Sequence, residues 1–199
     1  MTRRNVEVRR DEILAATVVC IAESGLSQTR VKDVARQLGV STALVFYHFE
    51  TKDALLAAAF EHAVEQDLSR LDRTLARGHG STDRLRRLLA TYGPTGSAEG
   101  WRLWIDAWAL ALREPTIRTA LRRLDKRWRD ALESTVRDGV ESGDFSCPDP
   151  AAATARIGAL LDGLSVSALL YGSVSRQRLR TWIREAAAIE LGVPAAVLL

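Results

Sequence analysis

Apolar positions recur every three or four residues along nearly the whole chain, and they do not fall into the two-residue alternation of a half-buried strand. This periodicity and its punctuation predict about nine helices. Eight cover residues 7–24, 29–38, 42–48, 52–75, 101–112, 115–142, 150–171 and 175–191, and a ninth holds Leu85, Leu88 and Leu89 behind a cap at Ser81 or Thr82. Gly25, Gly39 and Gly143 follow the last periodic residue of three helices, where glycine leaves the helix most easily. Pro115 suits the first turn of another, where its missing N–H costs nothing. The predicted fold is all-α, with a small head at residues 1–50 and a larger helical body at residues 51–199.

Within the head, the stretch TRVKDVARQLGVSTALVFYHFETK reads as two short helices around a glycine turn, the pattern of a helix-turn-helix whose second helix lies in the DNA major groove. Val31, Val34, Ala35 and Leu38 share one helical face, with Thr29 placed to cap it. Ser41 caps the second helix, and Leu44 or Val45 together with Phe49 anchor it to the core. Thr42, Ala43, Phe46 and Tyr47 are left on the outside. Such a helix enters the major groove by its N-terminal end, so Thr42 is placed to hydrogen-bond a base or phosphate and Ala43 to pack on a thymine methyl. Thr51 caps the helix that begins at Lys52, which adds a positive charge near the backbone. The predicted interface with double-stranded DNA comprises Thr29, Arg30, Ser41, Thr42, Ala43, Leu44, Phe46, Tyr47, His48 and Lys52.

The run VKDVARQLGVSTALVFYHFETKDALL, within residues 11–60, resembles the N-terminal DNA-binding domain of TetR-family transcriptional repressors. The resemblance implies that the aromatic cluster and the lysine clamp phosphates, a role carried here by Tyr47, His48 and Lys52. One departure stands out: Phe46 occupies a position where the family commonly has tyrosine, so a phosphate-binding hydroxyl is missing. Arg30 stands where a small hydroxyl residue is frequent and offers a backbone contact instead.

The last two long helices are apolar over more than one face, with Ala155, Gly158, Ala159, Leu161, Gly163, Ser165 and Ala168 permitting close helix approach. The resemblance implies a homodimer through these two helices, which would set two recognition helices about one DNA turn apart over a pseudo-palindrome. It also implies a body that binds a small-molecule effector, and residues 101–164 are similar to the BetI-like branch. Trp101, Trp104 and Trp108 form a stripe on one helix, Trp128 lies on the next, and Tyr171 closes the one after. Such stripes also serve as plain core. With Asp106 and Asp162 to orient a ligand or pair with an arginine, they are the expected effector residues; aromatic faces beside a carboxylate suit a cation, and a largely apolar effector fits equally well. A helix-turn-helix regulator without an effector is the alternative.

Composition narrows the remaining classes. The 199 residues carry a net charge of +3, which permits nucleic-acid binding. Arg3, Arg4, Arg9 and Arg10 form a basic arm able to follow the phosphate backbone or enter the minor groove. AWALAL is too short to span a bilayer and TRRNVEVRRDE has no apolar segment behind it, so a cytoplasmic protein without membrane contact is expected. Cys20 and Cys147 lack metal-ligand spacing, as do His48, His62 and His79, and no nucleophile or phosphate-loop motif is present. Neither enzymatic activity nor a cofactor or metal is predicted.

Overall fold

A computed structural model describes residues 3–93 and 99–199, with side chains from Arg10 onward apart from 94–99. The side chains of Arg3, Arg4 and Arg9, and residues 94–98, lie outside the described residues. The described residues form ten α-helices, in order α1 Arg3–Ser24, α2 Val31–Leu38, α3 Thr42–His48, α4 Lys52–Ala76, α5 Gly80–Tyr92, α6 Glu99–Ala111, α7 Pro115–Glu141, α8 Pro150–Val166, α9 Arg176–Glu190 and α10 Ala195–Leu198. The all-α expectation holds among the described residues. Three features of the helix order depart from the sequence reading. Helix α1 begins at Arg3 instead of residue 7, so the arginines assigned to an arm stand within that helix. A π-helical turn at Ser167–Tyr171 replaces the end of the single helix expected at 150–171, and α10 is an added short helix.

The chain forms two compact units: residues 1–67 with 99–124, and residues 68–98 with 125–199. In the first, Ile13, Leu26, Val34, Val45, Leu55, Phe60 and Ile117 make a dry core with at most 1% exposure each. Most of these are the periodic positions of their helices, so burying one stripe per helix is enough to assemble the head. Cys20 is buried there, and its thiol donates to Gln37 Oε1 at 3.0 Å.

In the second unit, α8 packs along α9, and α10 lies against α9 and α5. Asp149 caps α8 through Ala152 N–H at 3.0 Å, and Ser175 caps α9 through Arg178 N–H at 3.2 Å. The cap of α5 differs from the prediction. His79 takes that position, with Asp83 accepting its N–H at 3.1 Å, because Ser81 is turned into the core. The segment Pro150–Tyr171 has a mean hydropathy of 1.3, enough by length and composition to cross a bilayer. Arg156 and Asp162 interrupt it and are engaged by Glu190 and Tyr92 respectively.

Candidate functional site

The two helices of the head are joined as their sequence dictates. Gly39 ends α2 at φ +65°, a left-handed conformation in which a Cβ is strained, and its amide returns to Arg36. Ser41 then starts α3, its hydroxyl accepting from Leu44 N–H at 3.2 Å. Val45 (0% exposed) and Phe49 (4%) hold α3 down, and Leu44 is half-buried. Thr42 and Ala43 are exposed, as are Phe46 and Tyr47, the latter 75%. An aromatic ring that far into solvent contributes little to folding and is available for binding. His48 is half-buried, its ring meeting Tyr47 edge-on at 5.4 Å. Thr51 caps α4 through Ala54 N–H at 3.0 Å.

Four predicted positions carry different contacts. Thr29 neither caps α2 nor faces outward. It is 2% exposed, and its hydroxyl donates to Gly25 O at 2.8 Å, because the turn at Gly25 folds the chain back onto it. Arg30 takes the cap position without a side-chain bond and remains exposed. Lys52 donates from Nζ to Ser27 O at 3.1 Å, which braces it beside the α1–α2 loop with two N–H bonds still to offer. Arg10, assigned to the basic arm, lies with its guanidinium 4.8 Å above the Phe49 ring.

This geometry is matched by known proteins. Residues 13–59 match the bacterial regulatory proteins of the tetR family, and residues 81–192 match the C-terminal domain of BetI-type transcriptional repressors. The chain belongs to the TetR family. It is 31% identical over 174 residues to the HTH-type transcriptional regulator BetI of Paraburkholderia phymatum, covering 83% of this chain and 84% of that one. Among solved structures it resembles a transcriptional regulator from Saccharomonospora viridis in complex with choline, with TM-score 0.81, 28% identity, and 90% and 95% of the two chains covered. A TetR-family regulator from a Rhodococcus species gives TM-score 0.78 and 28% identity over 92% and 98% of the chains.

The expected effector residues of this TetR-family chain separate into groups. In the first unit, Trp101 and Trp108 meet edge-on at 5.9 Å, and Trp104 meets Phe60 of α4 at 5.3 Å. Asp106, expected to orient a ligand or pair with an arginine, accepts at Oδ2 from the backbone N–H of Leu26 at 3.0 Å. In the second unit, Trp128 is buried and meets the Tyr92 ring edge-on at 5.0 Å, and the Tyr92 hydroxyl donates to Asp162 Oδ1 at 3.1 Å. Burial pushes the Asp162 carboxyl up to about 6, with Tyr92 as the opposing influence, and pushes the Tyr92 phenol far above its ordinary range. Tyr171 is 74% exposed on the π turn and does not join this buried cluster, since the wider turn rotates it off the inward face of α8.

Tyr92 was missed from sequence, although a signal existed. It continues the buried stripe of Leu85, Leu88 and Leu89 one turn further, which places a phenol on the inner face of α5.

Proposed function

We propose that this protein is a homodimeric, cytoplasmic repressor that grips pseudo-palindromic operator DNA with α3 and releases it when a small organic cation binds the body. The observation that carries the DNA reading is the division of α3 into a buried side (Val45, Phe49) and an exposed one (Thr42, Ala43, Phe46, Tyr47), with Lys52 one loop away. Thr42 and Ala43 lead into the groove, and Tyr47, His48, Arg30 and Lys52 hold phosphates, which fixes register without reading sequence. Residues 1–50 form the DNA-binding head and residues 51–199 the regulatory body.

The dimer reading rests on α8 and α9, which keep Leu160 (40%), Trp182 (43%) and Ile189 (81%) exposed. A second copy would cover this apolar surface.

The effector reading rests on the Tyr92–Trp128–Asp162 cluster, in which aromatic rings stand beside a partly buried carboxylate, the arrangement that recognises a quaternary or protonated amine. The Saccharomonospora viridis relative, in complex with choline, points the same way. Effector control requires only that the cation prefer a body conformation in which the two heads are mis-spaced for DNA.

Selection of bound duplexes from a random pool, followed by choline titration of the complex, tests the whole scheme. Recovered duplexes should carry two half-sites about 34–36 Å apart, and choline should lower their affinity. Failure to enrich any sequence at low salt would sink the DNA reading. Enriched duplexes that ignore choline would sink the effector assignment alone.

A further inference from the structure

Asp106 belongs to α6, yet its carboxylate serves the α1–α2 loop of the head. The chain leaves α1 at Gly25 (φ +83°), whose amide still closes onto Ile21 O at 2.8 Å. The next amide, that of Leu26, has passed the end of the helix and finds its acceptor in Asp106 Oδ2 at 3.0 Å. Leu26 itself is 0% exposed, so this charge-assisted bond is fastened to a residue locked in the core. The fit is close, since a Cβ at position 25 would lie 3.1 Å from the same carboxylate oxygen.

The loop that Asp106 holds is rigid and leads straight to the DNA-binding surface. Thr29 closes it on Gly25 O through both its hydroxyl (2.8 Å) and its amide (3.2 Å), and Ser24 Oγ lies 3.2 Å from the same hydroxyl. Lys52 grips the loop at Ser27 O, and α2 begins directly after it at Val31. Two residues before Asp106, Trp104 meets Phe60 of α4. A displacement of α6 therefore pulls a stiff loop, not a slack one, and reaches both the start of α2 and the Lys52 ammonium.

We propose that Asp106 is the positioning residue through which α6 and the DNA-binding head respond to each other. The inference rests on the DNA-binding reading above. Coupling is reciprocal, so an α6 that moves the head is itself moved when the head binds operator. The five tryptophans all lie at or beyond residue 101, and three of them are on α6, so the protein carries its own reporters there and none in the head.

Fluorine NMR of fluorotryptophan-labelled full-length protein, saturated with an operator recovered by selection, reads this directly. The Trp101, Trp104 and Trp108 resonances should shift in the unaltered protein. Asp106→Ala should still bind operator but lose most of that shift, whereas Asp106→Asn, whose amide oxygen still accepts from Leu26 N–H, should keep it. An Asp106→Ala protein with the full shift at saturation overturns the proposal, as does an unaltered protein that binds without any shift. Should Asp106→Ala fail to fold, hydrogen exchange at the Leu26 amide of the unaltered protein decides instead. Operator binding should change its rate, and an unchanged rate overturns the proposal. Absence of operator binding by the unaltered protein is a separate result, which removes the DNA reading and this proposal together.

Discussion

The Tyr92 hydroxyl donates to Asp162 Oδ1 at 3.1 Å across a sequence separation of 70 residues, tying α5 to α8 beside the Trp128 ring. The carboxyl is pushed up to about 6 by burial, above the unfolded value near 3.9. Between roughly pH 4 and 6 the folded chain therefore holds the proton more tightly than the unfolded chain. Stability from this group rises as pH falls through that window, and the ionised form is a liability at neutral pH. Asp162→Asn should raise stability at pH 7.5 by on the order of 1–2 kcal/mol after allowance for partial exposure and flatten this part of the pH profile. Urea melts at several pH values check both expectations.

The same proton governs the proposed effector. A cation gains from the ionised carboxylate, so choline affinity should fall as pH drops below about 6, approaching about tenfold per unit once the acid form dominates. Calorimetric titration between pH 5 and 8 measures it. Asp162→Asn should bind choline weakly at every pH in that range.

Lys52 and Thr42 should separate positioning from reading. Lys52→Ala should weaken binding to all duplexes and reduce the salt slope by about one, with an added loss from the bond to Ser27 O. Thr42→Ala should instead change which duplexes are preferred. Competition binding with matched and mismatched duplexes distinguishes them, and a uniform loss for both would reverse the assignment.

Thr29 is a structural residue of the head. Thr29→Val keeps the volume but leaves the Gly25 carbonyl without its hydroxyl donor, at a cost of about 1–2 kcal/mol. Operator preference should not change, because the side chain has almost no surface to offer. Thermal melts and the same competition assay test the pair of outcomes.

Gly139 illustrates a conflict between propensity and packing. Inside a helix, glycine to alanine is ordinarily favourable by about 1 kcal/mol. Here a Cβ would stand 2.1 Å from the buried Phe145 ring, so Gly139→Ala should destabilise by about 2 kcal/mol or more. Gly39→Ala meets nothing within 4 Å, and its cost should be the left-handed backbone alone, about 1 kcal/mol. Chemical denaturation of the two variants ranks them.

Much of the head was legible in the sequence because its determinants are local. One turn of helix decides which of Val45, Phe46, Tyr47 and Phe49 points inward, and the Gly39 turn and the Ser41 and Thr51 caps are settled within four residues. The family match rests on that same short stretch and extends through the BetI-type body. The tertiary structure alone decided the rest. Asp106 meets the Leu26 amide 80 residues away, Tyr92 meets Asp162, Thr29 folds under Gly25, and Phe145 fills the space above Gly139. Helical periodicity says which face a residue occupies, but not which distant chain segment that face will meet. Partners so far apart are chosen by how whole helices pack, and a buried polar group then takes whichever donor or acceptor the packing brings within reach.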